Sequence, residues 1–342
     1  MSDRPPLLTG GSRRRRYGFR RAALAVAAVS LAVLALVIAN PFGGNAHDAG
    51  SSSRHDSRTS TKQLDQGAPP QALASGGGES RFAVKLGTPD LVTKAFVRKP
   101  RAGLLFDVRT GRVLWRLNPT RRLAIASLTK MMTALLVAER GAPHDRVLIT
   151  RRAVHTGGSA VGVLPKGKQV QLEALLNGLL LVSGNDAAVA LAQDIGGSVP
   201  GFVRMMNERA RQLGLSCTRY SSPHGLEDKG NHSCALDLAT LARADLHMRR
   251  IRRIVRRQRA IVKFPIKGGK LFLYNNNPLM RSGYPGVTGL KTGYTDRAGR
   301  SIVATAVRHG VELGVVLLHS YNPTDQAAKL LDRGFQAVGA GR

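Results

Sequence analysis

Acidic residues, aromatics and cysteines are all scarce in this 342-residue chain. Asp and Glu number 21 against 52 Lys and Arg, a formal charge of +31. So basic a chain suits an anionic partner, either nucleic acid or an anionic cell surface. Aromatics make up only 5% of the residues, and neither an RNP-type aromatic motif nor a zinc-finger spacing occurs. Those lacks argue against nucleic acid and leave acidic lipid headgroups or wall polymers as the counterpart. Two cysteines cannot hold a structural zinc, which takes four ligands. The absence of His-Glu-x-x-His speaks against a zincin, and that of Gly-x-Ser-x-Gly against an α/β-hydrolase.

The first long apolar run is Ala22 to Ala39, preceded by Arg13 to Arg16, Arg20 and Arg21. A positive flank before such a run is an export signal or an anchor with its N-terminus inside. Eighteen residues just suffice to span a bilayer, so a retained anchor is favoured over cleavage after Ala39 or Ala46. The expected organisation is a basic cytoplasmic N-terminus (1–21), a membrane segment (22–40), a disordered Gly/Ser-rich linker (41–92) and a globular domain (93–339) outside the cytoplasm. In that oxidising space Cys217 and Cys234 are expected to pair, closing a loop worth about 3 kcal/mol on the chain-entropy model.

Within the domain, two apolar runs flank Arg109-Thr110-Gly111 and predict a hairpin over 102–117. Leu128, Met132, Leu135 and Leu136 share one face of a helix expected from Ser127 to Glu139. The stretch 172–260 reads as mostly helical. Strands return at 288–292, 301–307 and 311–318, followed by an amphipathic helix over 324–335. Strands at both ends and helices between them predict an α+β (α/β) domain, with one antiparallel sheet built from both ends and an inserted helical subdomain.

Three short motifs carry chemistry. Ser127-Leu128-Thr129-Lys130 places an amine one turn from a hydroxyl, the pairing a weak serine nucleophile needs. Alone it reads equally as a helix cap with a solvated lysine. Ser183-Gly184-Asn185 alone reads as a turn between helices, and Lys291-Thr292-Gly293 alone as an edge strand. Their order and their placement at a helix start, a helix junction and a late strand match the motif set of β-lactamases and penicillin-binding proteins.

On these motifs the chain resembles the D-alanyl-D-alanine carboxypeptidases of the low-molecular-mass penicillin-binding proteins. The resemblance extends through Ile125 to Leu136, Leu179 to Ala188, Pro223-His-Gly-Leu, Asn231 to Ala239 and Gly289 to Gly299. It implies a serine β-lactamase/DD-peptidase-like fold and hydrolysis of the terminal D-Ala-D-Ala bond of peptidoglycan stem peptides. By resemblance Ser127 is the nucleophile and Lys130 the base, while Ser183 and Asn185 relay protons and hold the substrate amide. Lys291, Thr292, Gly293 and Tyr294 form the substrate-binding strand, with Lys291 and Thr292 on the terminal carboxylate. The N–H groups of Ser127 and Tyr294 make the oxyanion hole. β-Lactams would acylate Ser127, and no metal or organic cofactor is implied.

Departures exist. Many relatives carry an arginine after the last strand for the substrate carboxylate, but Gly310 to Leu331 holds none, which shifts load to Lys291. The chain ends soon after Lys-Thr-Gly, so attachment is expected at the N-terminus. A D,D-endopeptidase or a β-lactamase of the same fold are the alternatives; for the latter, Glu173 precedes Ser183 and so stands in the wrong order. His224, Asp228 and His232 are evenly spaced, but in a Gly-rich segment that gives them no common face, so no metal is expected. Residues 249–270 hold ten Lys/Arg and no acid, read as a solvated basic helix and hairpin that could dock on anionic wall polymers or lipids.

Overall fold

The computed structural model describes residues 81–87, 89–93, 96–226 and 229–340. The apolar run 22–39 lies outside them, as does Asp228; among the described residues no helix is long and apolar enough to cross a membrane. In chain order the elements are β1 (Ala102–Asp107), β2 (Val113–Leu117), a 3-10 turn (Ala126–Thr129), α1 (Lys130–Arg140), β3 (Arg146–Leu148), α2 (Arg151–Val154), β4 (Gln169–Gln171), α3 (Leu172–Leu181), α4 (Asn185–Gly196) and α5 (Val199–Gln212). Then come α6 (Ala235–His247), α7 (Arg249–Val255), β5 (Arg259–Lys263), β6 (Lys270–Tyr274), α8 (Pro278–Arg281), β7 (Val287–Gly293), β8 (Arg300–Arg308), β9 (Val311–Ser320) and α9 (Pro323–Ala337).

Five strands form one antiparallel sheet in the order β2-β1-β9-β8-β7. The early hairpin joins the late meander through β1 and β9, with Leu104 opposite Val316 and Leu105 opposite Val315. This is the α+β sheet built from both ends that the strand pattern predicts, with helices inserted between. Because side chains alternate along a strand, Leu104 and Phe106 enter the core shared with Leu128, Leu135, Leu175 and Leu238. Leu105 points the other way, into a second core with Ile302, Val315, Leu330 and Phe335. The sheet is therefore covered on both faces.

The cover of the second face is α9. Asn322 caps it by accepting from the Asp325 N–H, Pro323 stands in its first turn, and Asp325 complements its positive end. Leu330, Leu331 and Phe335 are fully buried, and each contributes about 1.5–3 kcal/mol by leaving water. On the opposite face α1 is buried nearly all round, as a central helix must be when α3, α4, α5 and α6 pack about it.

Three details depart from the sequence pattern. The helix expected from Ser127 starts as a 3-10 turn and becomes α-helical only at Lys130. The helical middle ends early, at Val255, and β5 begins at Arg259. Residues assigned to the linker pack on the domain near its start: Val84 and Val92 are buried, and Lys85 bridges to Arg112. Phe82, Val84 and Leu86 alternate over only five residues before Gly87, too short a run to mark an element, although they pack on the first core and Val92 enters the second.

Candidate active site

The site forms where the sheet edge β7 meets the helical subdomain. Ser127 lies inside the 3-10 turn, whose i and i+3 side chains eclipse, so Lys130 stands directly over it. Ala126, just before, takes a left-handed φ of 47°, which bends the chain sharply into the turn. Lys130 Nζ lies 2.9 Å from Ser127 Oγ. It also donates to Asn185 Oδ1 at 2.6 Å and to the His224 carbonyl at 2.8 Å. Asn185 is oriented by its own amide, which donates to the Gly157 carbonyl at 2.7 Å, so its oxygen faces the lysine.

Ser183 and Asn185 bracket Gly184 at the start of α4. Ser183 adopts a left-handed φ of 64°, and its hydroxyl is buried without a hydrogen-bond partner among the described residues. Strain and an unsatisfied buried hydroxyl meet at this one residue, which makes it a candidate to face a ligand. The neighbouring Asp186 holds the loop over α4 by accepting from the Val161 and Gly162 N–H groups at 2.9 and 3.0 Å.

The sheet wall is supplied by β7. Lys291 is 1% exposed and donates to the Thr292 carbonyl at 2.9 Å. Thr292 Oγ1 donates to Asn276 Oδ1 at 3.2 Å. Gly293 passes so close to the nucleophile turn that a Cβ there would sit 2.9 Å from the Ile125 carbonyl and 3.2 Å from the Ser127 nitrogen. Only glycine lets β7 bring its end, and with it the Tyr294 N–H, alongside Ser127. The Tyr294 ring itself is exposed and its hydroxyl donates to Asp296.

Electrostatics follow from burial. Lys130 is fully enclosed, and burial, seconded by the charge of Lys291, holds its amine well below the ordinary lysine range; Asp186 opposes this. Burial pushes Lys291 down to about 7. His224 falls to about 4 through burial and the nearby cations Lys130 and Arg152, so its imidazole is neutral.

Several contributors carried no signal of their own in the sequence. The His224 carbonyl belongs to the Pro223-His-Gly-Leu segment, but its aim at Lys130 is a property of the folded loop. That loop is seated by Gly225, whose φ of 79° lets it lie where a Cβ would collide with the Ala126 carbonyl, and by Thr133 Oγ1 donating to Pro223. Asn276 follows β6 in a run of three asparagines and had no pattern to flag it. His232 pairs its backbone with Arg219 instead of joining His224.

Cys217 and Cys234 form a disulfide, with Cα atoms 5.6 Å apart, that ties off the ends of the segment carrying His224. Asp237 lies against it and accepts from the Cys217 N–H and the Thr218 hydroxyl, each at 2.7 Å. These three side chains are the only metal-like cluster among the described residues, and their two sulfurs are bonded to each other.

A sheet drawn from both ends of a domain, an inserted helical subdomain and a serine–lysine pair at their junction define a serine β-lactamase/DD-peptidase-like protein. The chain belongs to the S11 peptidase family, described as D-alanyl-D-alanine carboxypeptidase, whose pattern matches residues 94–322. It is 34% identical over 251 residues to the D-alanyl-D-alanine carboxypeptidase DacF of Bacillus subtilis, covering 71% of this chain and 64% of that protein. It is 36% identical over 250 residues to DacC of Escherichia coli, covering 69% and 61%. The chain thus spans less than two thirds of the length of either relative. Among solved structures it is similar to a D-alanyl-D-alanine carboxypeptidase of Mycobacterium tuberculosis, with TM-score 0.67, 30% identity and coverage of 71% of this chain and 94% of that one. A variant of a Streptomyces DD-transpeptidase superposes with TM-score 0.66 at 28% identity, over 71% of this chain and all of the other.

Proposed function

We propose that this chain is a serine-type D-Ala-D-Ala carboxypeptidase, which removes the terminal D-alanine of peptidoglycan stem peptides through an acyl-enzyme on Ser127. The observation that carries this reading is the partner set of Lys130. A neutral amine has two hydrogens and one lone pair. Asn185 Oδ1 and the His224 carbonyl are pure acceptors and take both hydrogens. The lone pair is then left facing the Ser127 hydroxyl 2.9 Å away, and burial favours the neutral form this requires.

In the forward step Ser127 Oγ attacks the carbonyl between the two D-alanines while Lys130 takes its proton. The N–H groups of Ser127 and Tyr294 receive the developing oxyanion, each such donor being worth about 2.7–4 kcal/mol. Asn185 holds the substrate amide, and the free hydroxyl of Ser183 passes the proton on to the leaving amine. Lys291, without an acidic partner among the described residues, and Thr292 bind the terminal carboxylate, and Gly293 gives the backbone its close approach. Water then hydrolyses the acyl-enzyme. β-Lactams acylate the same serine.

The proposed location is the outer face of the plasma membrane, held there by the segment 22–40; the charge flank and apolar run support this. Incubating the full chain with a pentapeptide ending in D-Ala-D-Ala tests the activity. Free D-alanine is expected, and Ser127→Ala is expected to abolish both its release and covalent penicillin labelling. Rapid penicillin turnover with no D-alanine would instead make the chain a β-lactamase.

A further inference from the structure

Of the ten cations between 249 and 270, Arg256 and Arg257 lie between two elements, and the other eight fall into two groups. Those of α7 largely turn to the protein's own acids: Arg250 and Arg253 bind Glu173, and Arg252 binds Glu312. Those of the β5–β6 hairpin do not. Arg259, Lys263, Lys267 and Lys270 are exposed, and among the described residues none of them forms an ion pair.

The register of the hairpin makes this group a surface. Arg259 faces Tyr274, Ile261 faces Phe272 and Lys263 faces Lys270. These six residues share the outward face, while Ala260, Leu271 and Leu273 turn inward to the main core. A half-buried antiparallel hairpin ordinarily shows a polar outer face. Here Ile261 and Phe272 are each 56% exposed and Tyr274 is 64% exposed, a contiguous apolar strip bordered by cations. Lys263 and Lys270 lie directly opposite each other, a like-charge pairing that costs stability unless an anion settles between them. Beside them at the hairpin end is a cavity of about 410 Å³, lined by Arg146, Lys263, Lys270, Gln171 and Phe264, with no acid in its wall.

We propose that this face docks on a lipid bilayer carrying anionic headgroups. Ile261, Phe272 and Tyr274 enter the boundary between headgroups and acyl chains, and a phosphate headgroup settles among Arg146, Lys263 and Lys270. A soluble polyanion would satisfy the cations, but it gives no reason for three large apolar side chains to stand in water between them. Aromatic, aliphatic and basic side chains on one face are the composition of a membrane interface. Since β6 runs on into Asn275–Asn277, whose middle residue receives Thr292 of the cleft, docking also sets the height of the catalytic cleft above the bilayer. The proposal is independent of the peptidase reading.

The test places a reporter in the strip itself. The chain has one tryptophan, Trp115, which is 5% exposed in the second core and gives a quiet background. The full chain carrying Phe272→Trp is mixed with vesicles of brominated phosphatidylcholine, alone or with phosphatidylglycerol. The indole at position 272 is expected to shift to the blue and be quenched in the anionic vesicles, weakly in the neutral ones, and less as salt is added. Adding Lys263→Glu and Lys270→Glu is expected to weaken anionic vesicle quenching about tenfold or more. Because quenching reads position 272, insertion of the N-terminal run cannot imitate it, and thermal melts establish that each variant is folded. An indole that stays in water with both vesicle types overturns the proposal. So does one that responds to soluble poly(glycerol phosphate) but not to vesicles.

Discussion

The two walls of the cleft are finished to different degrees. On the helical side Lys130 has three oxygen partners, and Asn185 and Asp186 tie the loop 157–162 down through four hydrogen-bond contacts, one of them from the Asn185 N–H to Ser159. On the sheet side Lys291 reaches a single carbonyl and Thr292 a single asparagine. Saturated polar groups hold a geometry, as proton transfer between fixed partners requires. Groups left short of partners take the remainder from a ligand. Apart from the Ser183 hydroxyl, which stands open on the helical wall, the contrast fits the proposed division into a helical wall for proton transfer and a sheet wall for recognition.

The largest expected effect breaks the helical wall at its centre. Lys130→Met keeps the buried volume and removes the base, so kcat/KM for a D-Ala-D-Ala peptide should fall by about 10²–10⁴, with melting unchanged or improved. D-Alanine release within tenfold of wild type would show that Lys130 is not the base. Next, Cys217→Ser with Cys234→Ser should destabilise the protein by about 3 kcal/mol in denaturant melts, in line with the loop it opens. It should also lower kcat, since the segment it frees carries the His224 carbonyl; unchanged kcat would detach that loop from Lys130.

The sheet wall predicts a pH signature. If Lys291 grips the carboxylate as an ammonium, kcat/KM should decline as pH rises through about 7, where the free enzyme loses that proton. In Lys291→Arg the alkaline limb should move up, because a guanidinium stays charged. Stability should run the other way. The folded value lies below the ordinary 10.5, so between about 7 and 10.5 the unfolded chain binds more protons and stability rises with pH. Lys291→Met should flatten that slope in melts taken across the window. The smallest effect belongs to Asn276→Ala, which removes one hydrogen bond to Thr292 and should raise KM by an amount equivalent to about 0.5–1.5 kcal/mol, with kcat nearly unchanged.

Much of the sheet was legible because strands write their signal locally. The runs around Arg109-Thr110-Gly111 and His309-Gly310 are short apolar segments that turn within a few residues, and the structure pairs them as hairpins. The β5–β6 face is the counterexample. Its exposed Phe272 and its buried neighbours Leu271 and Leu273 read as one apolar stretch, and only the register separates them. Arg250 and Arg253 look solvated in sequence, yet Glu173, far along the chain, receives both.

Alone, the sequence determined the residue types and order of the three motifs, the antiparallel α+β sheet drawn from both ends, and the pairing of Ser127 with Lys130 one turn apart. Those depend on chain neighbours and on hydrophobic period, which are written locally. Only the tertiary structure decided which oxygens surround Lys130, that a 3-10 turn presents Ser127, and that Asn276 and the His224 carbonyl belong to the cleft. Each of these depends on where a backbone carbonyl or a distant side chain points after packing, and on burial that moves a lysine's proton. Neither quantity exists until the sheet and the helical subdomain have closed on each other.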